Sequence, residues 1–406
     1  TLSAGTLLKT NRPLPWLGGL TADEFMREHW QRRPLFVKGA FADWASQPPP
    51  VGEHRLMDLV REGDLPCRLL LPDGRLLHGP ISMAKLPSPK KPNWTILVQQ
   101  VNTADAPADR FLEHFRFIPE ARLDDLMISL ASSGGGIGAH VDSYDVFLIQ
   151  AQGSREWEIA QTFDPSLDAG ASMRVLKTFR AQTRWQCEPG DLLYLPPGIA
   201  HRGTARSSGC MSYSVGFRTV DPLQVADEAF ARRADAATQP LAAPDPWLRP
   251  TSTPGEIPSS LMQSLLQQTI AQLPSQRELE EALVVTLSEP HPAIFTQPPA
   301  TASPSRFREQ FRRHGIGLRP GVRLLIWRHL VGANGELFDL KDLPQPDRAL
   351  AKRLLKKLAN ERELNPDCCA AASDAHAIVR MFFSIFQRGL LEFKRGKHTK
   401  PTKKGL

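Results

Sequence analysis

The sequence predicts an α+β protein in which a β-barrel or β-sandwich precedes a mainly helical C-terminal half. Up to about residue 220, short apolar runs alternate with Pro and Gly turn signals, which is the pattern of many short strands. Beyond that point the chain becomes rich in Ala, Glu and Arg at helical spacing, and Pro-rich stretches interrupt it. The length of 406 residues is too great for one ordinary domain and predicts two or three.

The N-terminal half is predicted to begin with a helix and to continue as strands. Thr21 and Glu24 form a capping-box pattern that opens a helix from Asp23 to about Arg33, and Pro34 ends it. The apolar runs that follow predict strands at residues 35–37, 69–71, 94–98, 124–130, 145–150, 156–159, 191–195 and 212–217.

The C-terminal half is predicted to contain helices separated by Pro-rich segments at residues 239–258 and 289–304. Helical spacing occurs at residues 223–236, 261–273, 276–287, 347–360 and 372–386. Strands are predicted at residues 322–327 and 390–393, with a turn at Asn334-Gly335. These changes divide the chain into a barrel domain (1–220), a helical region (221–300) and a C-terminal unit (301–406).

Composition places the chain among ordinary globular proteins. No apolar run approaches the roughly 18 to 20 residues that a membrane span needs, and the first five residues lack the layout of a signal peptide. The five cysteines form no C-x-x-C pair and predict neither disulfides nor a zinc site. We therefore expect reduced thiols and a cytoplasmic protein.

The formal net charge of +7 favours contact with an anionic partner. A moderately basic chain without a specific anionic partner is an equally good interpretation. The basic run at residues 394–404 predicts weak contact with the phosphates of a nucleic acid or, alternatively, a solvated tail.

The motif with the clearest chemistry is the glycine-rich run that ends in Ala139-His140-Val141-Asp142. In an extended strand, residues i and i+2 face the same side, so His140 and Asp142 aim at one point. His201 follows a Pro-Pro-Gly turn that fixes where the next strand begins. Two imidazoles and one carboxylate leave coordination positions open, which is the ligand set of ferrous oxygenases.

Arg155 opens the strand that follows the metal motif, with Trp157 two positions further on. A guanidinium inside an apolar barrel is costly unless it is paired, and it suits bidentate binding of a carboxylate. The distal carboxylate of 2-oxoglutarate is one such partner. An internal ion pair or a solvent-facing position is the structural alternative for this arginine.

Four segments carry a family resemblance, namely residues 29–36, 134–159, 188–198 and 213–218. They resemble the JmjC type of cupin and are especially similar to the bacterial ribosomal oxygenases. The resemblance implies a double-stranded β-helix (cupin) barrel, a helical dimerisation region and a C-terminal winged-helix unit. It extends over nearly the whole chain, and its motifs are densest between about residues 124 and 218.

The resemblance also implies a chemistry and a substrate. Iron(II) is bound by His140, Asp142 and His201, with 2-oxoglutarate held by Arg155 and O2 as the oxidant. Histone-demethylase relatives usually have a lysine on the equivalent strand. The implied enzyme is a homodimer that hydroxylates a side chain of a large-subunit ribosomal protein. The nucleic acid that the basic run at 394–404 would contact weakly is then ribosomal RNA (rRNA). By analogy with bacterial members, that side chain is an arginine, oxidised at its β-carbon.

Several further residues are weaker candidates. Ser129 and Ser214 are predicted to hydrogen-bond the carboxylates of the co-substrate or, alternatively, to be satisfied hydroxyls of the barrel. Tyr144 and Tyr194 are candidates for the substrate channel, and a core position is an equally good interpretation for Tyr194. Asp145 is a candidate for the same channel, although it is predicted to face away from Asp142. A basic substrate requires an acidic patch near the site, for which the candidates are Asp124, Asp125, Glu113 and Glu120.

Three other functions are compatible with the pattern. A lysine demethylase or another protein hydroxylase uses the same core, although Arg155 replaces the usual lysine. A non-catalytic module that binds peptide or nucleic acid would have no chemical need for His140, Asp142 and His201 together. A DNA-binding regulator built on the C-terminal unit would bind DNA tightly and independently of iron.

Overall fold

The computed structural model describes residues 11–236, 245–290, 299 and 303–394. The predicted Pro-rich segments and the basic run at 394–404 lie partly or almost wholly outside these described residues. The N-terminal half contains twelve described strands: β1 (Leu35–Val37), β2 (Cys67–Leu70), β3 (Leu76–His78), β4 (Thr95–Val98), β5 (Leu123–Ala131), β6 (His140–Val141), β7 (Asp145–Gln152), β8 (Arg155–Ala160), β9 (Thr183–Cys187), β10 (Leu192–Leu195), β11 (Ala200–Ala205) and β12 (Cys210–Phe217).

The twelve strands form two antiparallel sheets that face each other. The larger sheet has the order β1-β10-β7-β12-β5-β4-β2-β3, and the smaller one has the order β6-β11-β8-β9. Side chains between the sheets include Val146, Leu148 and Trp157. The alternate residues of the larger sheet pack on its other face against the N-terminal helices. The predicted barrel is therefore present, with one face of each strand turned to its interior.

The N-terminal helices cover the outer face of the larger sheet. They are α1 (Ala22–Glu28), α2 (Glu53–Glu62), α3 (Val101–Ala104) and α4 (Ala106–Phe111). The predicted capping box is confirmed, because Thr21 and Glu24 make both of its reciprocal hydrogen bonds. The predicted end of this helix was too late, because Gln31 adopts a left-handed φ of 56° and turns the chain before Pro34.

The C-terminal half contains the helices α5 (Pro222–Ala236), α6 (Ser259–Ala271), α7 (Gln276–Ser288), α8 (Pro304–His314), α9 (Gln345–Glu361), α10 (Pro366–Ala372) and α11 (His376–Gln387). Its strands are β13 (Ile316–Leu318), β14 (Leu324–Trp327), β15 (Leu330–Ala333), β16 (Glu336–Asp339), β17 (Glu363–Leu364) and β18 (Leu391–Phe393). They form two three-stranded sheets, β17-β13-β18 and β14-β15-β16. A separate hydrophobic core, built around Phe307, Phe311 and Phe382, holds residues 307–391 together.

The predicted helices at 223–236, 261–273, 276–287 and 347–360 are confirmed to within a few residues. The helix predicted at 372–386 corresponds to α11 but begins too early, because α10 ends at Ala372 and α11 starts at His376. The helix α10 itself was not predicted. Among the described helices, none is both long and apolar enough to cross a membrane.

Candidate metal centre and its cavity

Two short strands of the smaller sheet bring the predicted metal ligands together. His140 in β6 pairs directly with His201 in β11, and their ring centroids lie 4.2 Å apart. Asp142 follows β6, and its two carboxylate oxygens lie 3.9 Å from His140 Nε2 and 3.6 Å from His201 Nε2. One ligand atom from each residue falls within a cluster no wider than 4.8 Å. The three side chains therefore surround a point that a single metal ion can occupy.

Backbone carbonyls fix the orientation of both imidazoles. The Nδ1 atom of His140 lies 3.1 Å from the Gly138 carbonyl oxygen, and that of His201 lies 3.0 Å from the Ile199 carbonyl oxygen. When Nδ1–H donates to a carbonyl, the lone pair of Nε2 is free for a metal. The Gly198 N–H donates to the Asp142 carbonyl at 2.9 Å, so the Pro-Pro-Gly turn is bonded to the metal motif.

The charges of these groups suit a divalent cation. Burial, together with the charge of the neighbouring His140, lowers the pKa of His201 to about 3. Burial raises the pKa of the Asp142 carboxyl, and His140 opposes that rise. The neutral form of His201 is the form that binds metal, and a cation would compensate the buried carboxylate charge.

The triad lies on the wall of a cavity of about 980 Å³ between the two sheets. Arg155, at the start of β8, is 4 % exposed and lines the same cavity. Its Nε and Nη2 atoms are buried without a hydrogen-bond partner among the described residues. The Oγ1 atom of Thr95, on the opposite sheet, is also buried and unpartnered within the described part of the chain. Unsatisfied buried donors are costly, so these atoms fit a polar ligand that enters the cavity.

Both predicted serines face this cavity. Ser129 in β5 donates a long hydrogen bond of 3.4 Å to the Ser212 carbonyl, and Ser214 in β12 is 8 % exposed. They project between the sheets because alternate residues of β5 and β12 face inward.

The two candidate channel tyrosines lie in different places. Tyr144 is 38 % exposed and lines the cavity beside the metal motif. Tyr194 is fully buried on the outer face of the sheet, where it donates a 2.6 Å hydrogen bond to Asp145. The alternation of β10 and β7 turns both side chains away from the cavity, so Tyr194 occupies the core position that was its alternative interpretation, and Asp145 faces away from Asp142 as predicted.

The acidic candidates also divide into two groups. Asp124 and Asp125 line the metal cavity, whereas Glu113 and Glu120 line a different cleft near the C-terminal unit. Asp125 accepts a 2.8 Å hydrogen bond from the Gln100 N–H through Oδ2. Its Oδ1 has no hydrogen-bond partner within the described ranges. Burial, followed by repulsion from Asp124, raises the pKa of Asp125 to about 7.

Sequence reasoning missed two residues of this cavity, Thr95 and Arg68. Arg68 in β2 lines the cavity and is close enough to Asp125 and Asp142 to lower the pKa of both. No sequence motif indicated that Arg68, in one of the first strands of the barrel, would face the cavity. Alternation within β2 and β4 was the only available signal for these two residues.

The two-sheet barrel, with a centre of two histidines and one carboxylate, is the arrangement of a metal-binding cupin. Residues 110–224 match the family model described as "JmjC domain".

Two curated proteins are similar in sequence. The Escherichia coli (strain K12) protein named ribosomal protein uL16 3-hydroxylase is 37 % identical over 199 residues, which cover 48 % of this chain and 52 % of that protein. A probable ribosomal oxygenase of Haemophilus influenzae is 31 % identical over 209 residues, or 49 % of this chain and 50 % of that protein. The chain thus spans about half the length of the curated relatives it matches.

The similarity in structure is more extensive. The crystal structure of E. coli YcfD superposes with a TM-score of 0.77 and 28 % identity, and covers 92 % of this chain and 98 % of YcfD. A structure described as the ribosomal oxygenase YcfD in complex with cobalt and 2-oxoglutarate gives a TM-score of 0.75 and 28 % identity, covering 93 % of this chain and 99 % of that one. The overall architecture is therefore shared well beyond the JmjC domain.

Proposed function

We propose that this protein is an iron(II)- and 2-oxoglutarate-dependent oxygenase that hydroxylates a side chain of a large-subunit ribosomal protein. The observation that carries the proposal is one cavity that combines the His140, Asp142 and His201 cluster with the unpartnered guanidinium of Arg155. The similarity to a ribosomal oxygenase solved with cobalt and 2-oxoglutarate supports the same pair of ligands for this chain.

The spacing of these groups supports a dicarboxylate between them. Arg155 pairs with Ala205, four residues along β11 from His201, a separation of roughly 13 Å between backbone positions. The side chains of Arg155 and His201 extend into the cavity from these two positions. The gap between their ends is therefore shorter and suits a five-carbon dicarboxylate. Thr95, Ser129 and Ser214 line the cavity and supply hydroxyl groups for its carboxylates.

The residues of this chain would bind and orient the metal and the co-substrate, while the bound metal supplies the oxidation chemistry. With O2 and 2-oxoglutarate, iron(II) supplies the chemistry that converts a C–H bond to C–OH and the co-substrate to succinate and carbon dioxide. His140, Asp142 and His201 would hold the metal and leave positions open for both reactants. Arg155 would hold the far carboxylate, and the sheets on either side would exclude bulk water from the cavity.

The side chain that we propose as substrate is arginine, hydroxylated at its β-carbon. Asp125 presents an unpartnered carboxylate oxygen on the cavity wall, and the ring of Tyr144 lies nearby. Both border the space beside Gly216, where an added Cβ would lie 3.7 Å from Asp125 Oδ1 and 3.9 Å from Tyr144 Cε2. A guanidinium stacks on an aromatic ring and pairs with a carboxylate, so this space suits an arginine side chain.

We further propose the architecture that the family resemblance implies. The helical region (221–300) would form a homodimer, the C-terminal unit (301–406) would be winged-helix-like, and residues 1–220 would form the catalytic domain. The support for a dimer is α6, which presents an apolar stripe and buries none of its side chains in the single chain. An enzyme that acts on ribosomal proteins would work in the cytoplasm.

The test is an assay with anaerobically purified protein, iron(II), 2-oxoglutarate and O2. Peptides from loops of large-subunit ribosomal proteins are added, each made with arginine and with citrulline, its uncharged counterpart. We expect succinate and a peptide heavier by one oxygen atom, located by fragmentation on the arginine. His140→Ala and Asp142→Ala should abolish both products, while His54→Ala, on the exposed face of α2, should not.

The other outcomes separate the alternatives. Loss of a methyl group with release of formaldehyde would indicate a demethylase instead. Succinate without any peptide product would retain the oxygenase and reject the ribosomal substrate. If neither succinate nor metal binding is detected, the catalytic proposal fails in favour of a binding module.

A further inference from the structure

Arg323 joins the C-terminal unit to the strand that carries the acidic wall of the cavity. Its side chain is 6 % exposed and precedes β14. Its Nη2 donates to the Asp124 carbonyl at 2.5 Å and to Asp124 Oδ1 at 3.2 Å. Its Nη1 donates to the Glu289 carbonyl at 2.5 Å, just beyond the end of α7. One guanidinium thus connects β5, the end of α7 and the C-terminal unit.

Arg218, which follows β12, contacts the same two acceptors. Its Nη2 lies 3.1 Å from Asp124 Oδ1, and its Nη1 lies 3.1 Å from the Glu289 carbonyl oxygen. Asp124 is therefore held by two arginines, one from the barrel and one from the C-terminal unit. Two cations around one carboxylate compensate its charge more fully than either does alone.

Asp124 and Asp125 are consecutive residues of one strand and therefore point in different directions. Both residues line the cavity, but Arg218 and Arg323 bind the carboxylate of Asp124 at the junction with the C-terminal unit, and neither arginine is hydrogen-bonded to Asp125 among the described residues. Two adjacent carboxylates repel each other, and the Asp124 charge raises the pKa of Asp125. The strength of that repulsion depends on how well Asp124 is compensated.

We propose that Arg323 is a positioning residue for the substrate subsite, through which the C-terminal unit keeps Asp125 able to accept a cationic side chain. The inference rests on the proposed function, because it assigns Asp125 to the arginine of the substrate. Arg323 acts through Asp124: it compensates that carboxylate and fixes its backbone. The C-terminal unit thereby contributes to substrate recognition without touching the substrate.

The direction of the effect follows from the charged groups around Asp125. Asp124 repels its carboxylate, whereas Arg218 and Arg68 stabilise it, and the Tyr144 phenol lies near the same cavity wall. When Arg323 is lost, only Arg218 compensates the charge of Asp124. Asp124 then repels the Asp125 carboxylate more strongly, so Asp125 keeps its proton to a higher pH. A protonated Asp125 pairs poorly with a guanidinium, so binding weakens near neutral pH and returns as the pH rises.

Arg116 provides a matched control. It also joins the barrel to the C-terminal unit, with hydrogen bonds to Glu120 at 2.9 Å and to the Ala359 and Asn360 carbonyls at 2.7 and 2.8 Å. Its partner Glu120 keeps a second arginine, Arg362, at 2.8 Å. Arg116 and Arg323 thus each share one carboxylate with another arginine, but of these two only Arg323 contacts Asp124.

The experiment measures binding of fluorescein-labelled arginine and citrulline peptides to the full-length protein by anisotropy between about pH 6 and pH 9. We expect Arg323→Met to weaken binding of the arginine peptide about threefold or more at pH 7 and to move the midpoint of its pH dependence upward. Citrulline binding should not change, Arg323→Lys should restore part of the effect, and Arg116→Met should leave the midpoint unchanged. Asp124→Asn, which removes the repelling charge, should move the midpoint downward, so the direction can be tested even if Arg323→Met does not fold.

The possible failures are distinguishable. If the unaltered protein binds both peptides equally, the arginine assignment is rejected, and this inference with it. If it prefers the arginine peptide, but Arg323→Met and Asp124→Asn both leave the midpoint in place, the inference alone is rejected. If Arg116→Met moves the midpoint upward by the same amount, the inference is also rejected. Any lost contact between the barrel and the C-terminal unit would then have the same effect.

Discussion

At the scale of single residues, Arg155 combines burial with unsatisfied hydrogen-bond donors. Two of its guanidinium nitrogens are buried without a partner in the described part of the chain, and its Cζ lies 5.7 Å from the centre of the Trp157 ring. Such an arrangement is unfavourable in the ligand-free protein. Binding sites commonly retain such groups because a ligand satisfies them, at a cost in stability.

Arg155→Met should therefore change ligand binding and stability in opposite directions. We expect the KM for 2-oxoglutarate to rise about 100-fold, because charge-assisted hydrogen bonds are lost. Without co-substrate, the free energy of unfolding should rise by about 1–3 kcal/mol, because a buried charge is removed. Steady-state kinetics and denaturant unfolding test the two effects. A decrease in both affinity and stability would indicate that Arg155 has a structural partner.

Asp125 should make the stability of the protein depend on pH. Its folded pKa of about 7 lies above the ordinary value of 3.8, so the folded state retains a proton that the unfolded chain releases. The contribution of the Asp125 carboxyl to the free energy of unfolding is thus largest at low pH, and it is lost as the pH rises from about 4 through 7.

Asp125→Asn keeps an oxygen that accepts the Gln100 N–H but does not titrate. Relative to the unaltered protein, the variant should gain up to about 4 kcal/mol in free energy of unfolding between pH 4 and pH 7. Melting curves across that range measure the difference, with the exposed Asp43→Asn as control. A difference that does not vary with pH would show that Asp125 titrates normally.

At the scale of elements, strand alternation decides which residues form the site. In β12, Ser214 and Gly216 face the cavity, while Tyr213, Val215 and Phe217 pack in the core. Gly216 lacks a side chain at the point where Asp125 and Tyr144 come close. The glycine in β12 thereby leaves space for a substrate side chain, and the backbone of the strand does not need to move.

Gly216→Val should occupy that room. We expect the KM of an arginine peptide to rise about tenfold or more, because the branched side chain competes with the substrate for the same volume. Succinate formed without peptide should change little, since Arg155 and the metal ligands are untouched. Parallel assays of the two activities, with Gly216→Ala as the smaller control, measure the effect. Equal loss of both activities would instead indicate a distorted barrel.

The break between α10 and α11 illustrates the limit of helical periodicity. The helix predicted at residues 372–386 corresponds to α11 and extends back to the last residue of α10. The helix α10 was missed, although Asn365 caps it and Pro366 occupies its first turn. Ser373 then caps its end, and α11 starts at His376. Apolar spacing continues across the break because both helices contribute to one core, so periodicity alone could not reveal it.

At the scale of the whole molecule, charged clusters fasten the barrel to the C-terminal unit. One contains Asp124, Arg218 and Arg323, and the other contains Arg362 with Asp109 at 3.3 Å and Glu120 at 2.8 Å. Removal of one member of such a buried cluster leaves uncompensated charge, which costs far more than an exposed ion pair contributes. The two units are therefore expected to keep a fixed relative position.

The apolar stripe of α6 leads to a prediction about assembly. Met262, Leu266 and Ile270 recur at every fourth residue of α6 and are each 51–56 % exposed. Leu273, just after the end of the helix, is exposed to the same degree. Burial of such a stripe against a second copy would remove it from water. We expect Leu266→Glu to shift a dimer toward monomer in light scattering, while Gln267→Glu, on the polar side, does not. A monomeric unaltered protein would contradict the proposed dimer.

The sequence by itself predicted that His140, Asp142 and His201 would come together, and it predicted most strands and helices. These are local properties: a two-residue spacing in an extended strand, a turn before His201 and the period of apolar residues. Pattern alone could not place Tyr194, because the tyrosine suited the core and the channel equally well.

Only the tertiary structure decided which strands face each other across the cavity. It brought Thr95 and Arg68 into the site, turned Tyr194 and Asp145 into the core, and separated Asp125 from Glu113 and Glu120. The physical reason is that such contacts join residues far apart in the chain. They depend on sheet order and register, which no local pattern specifies.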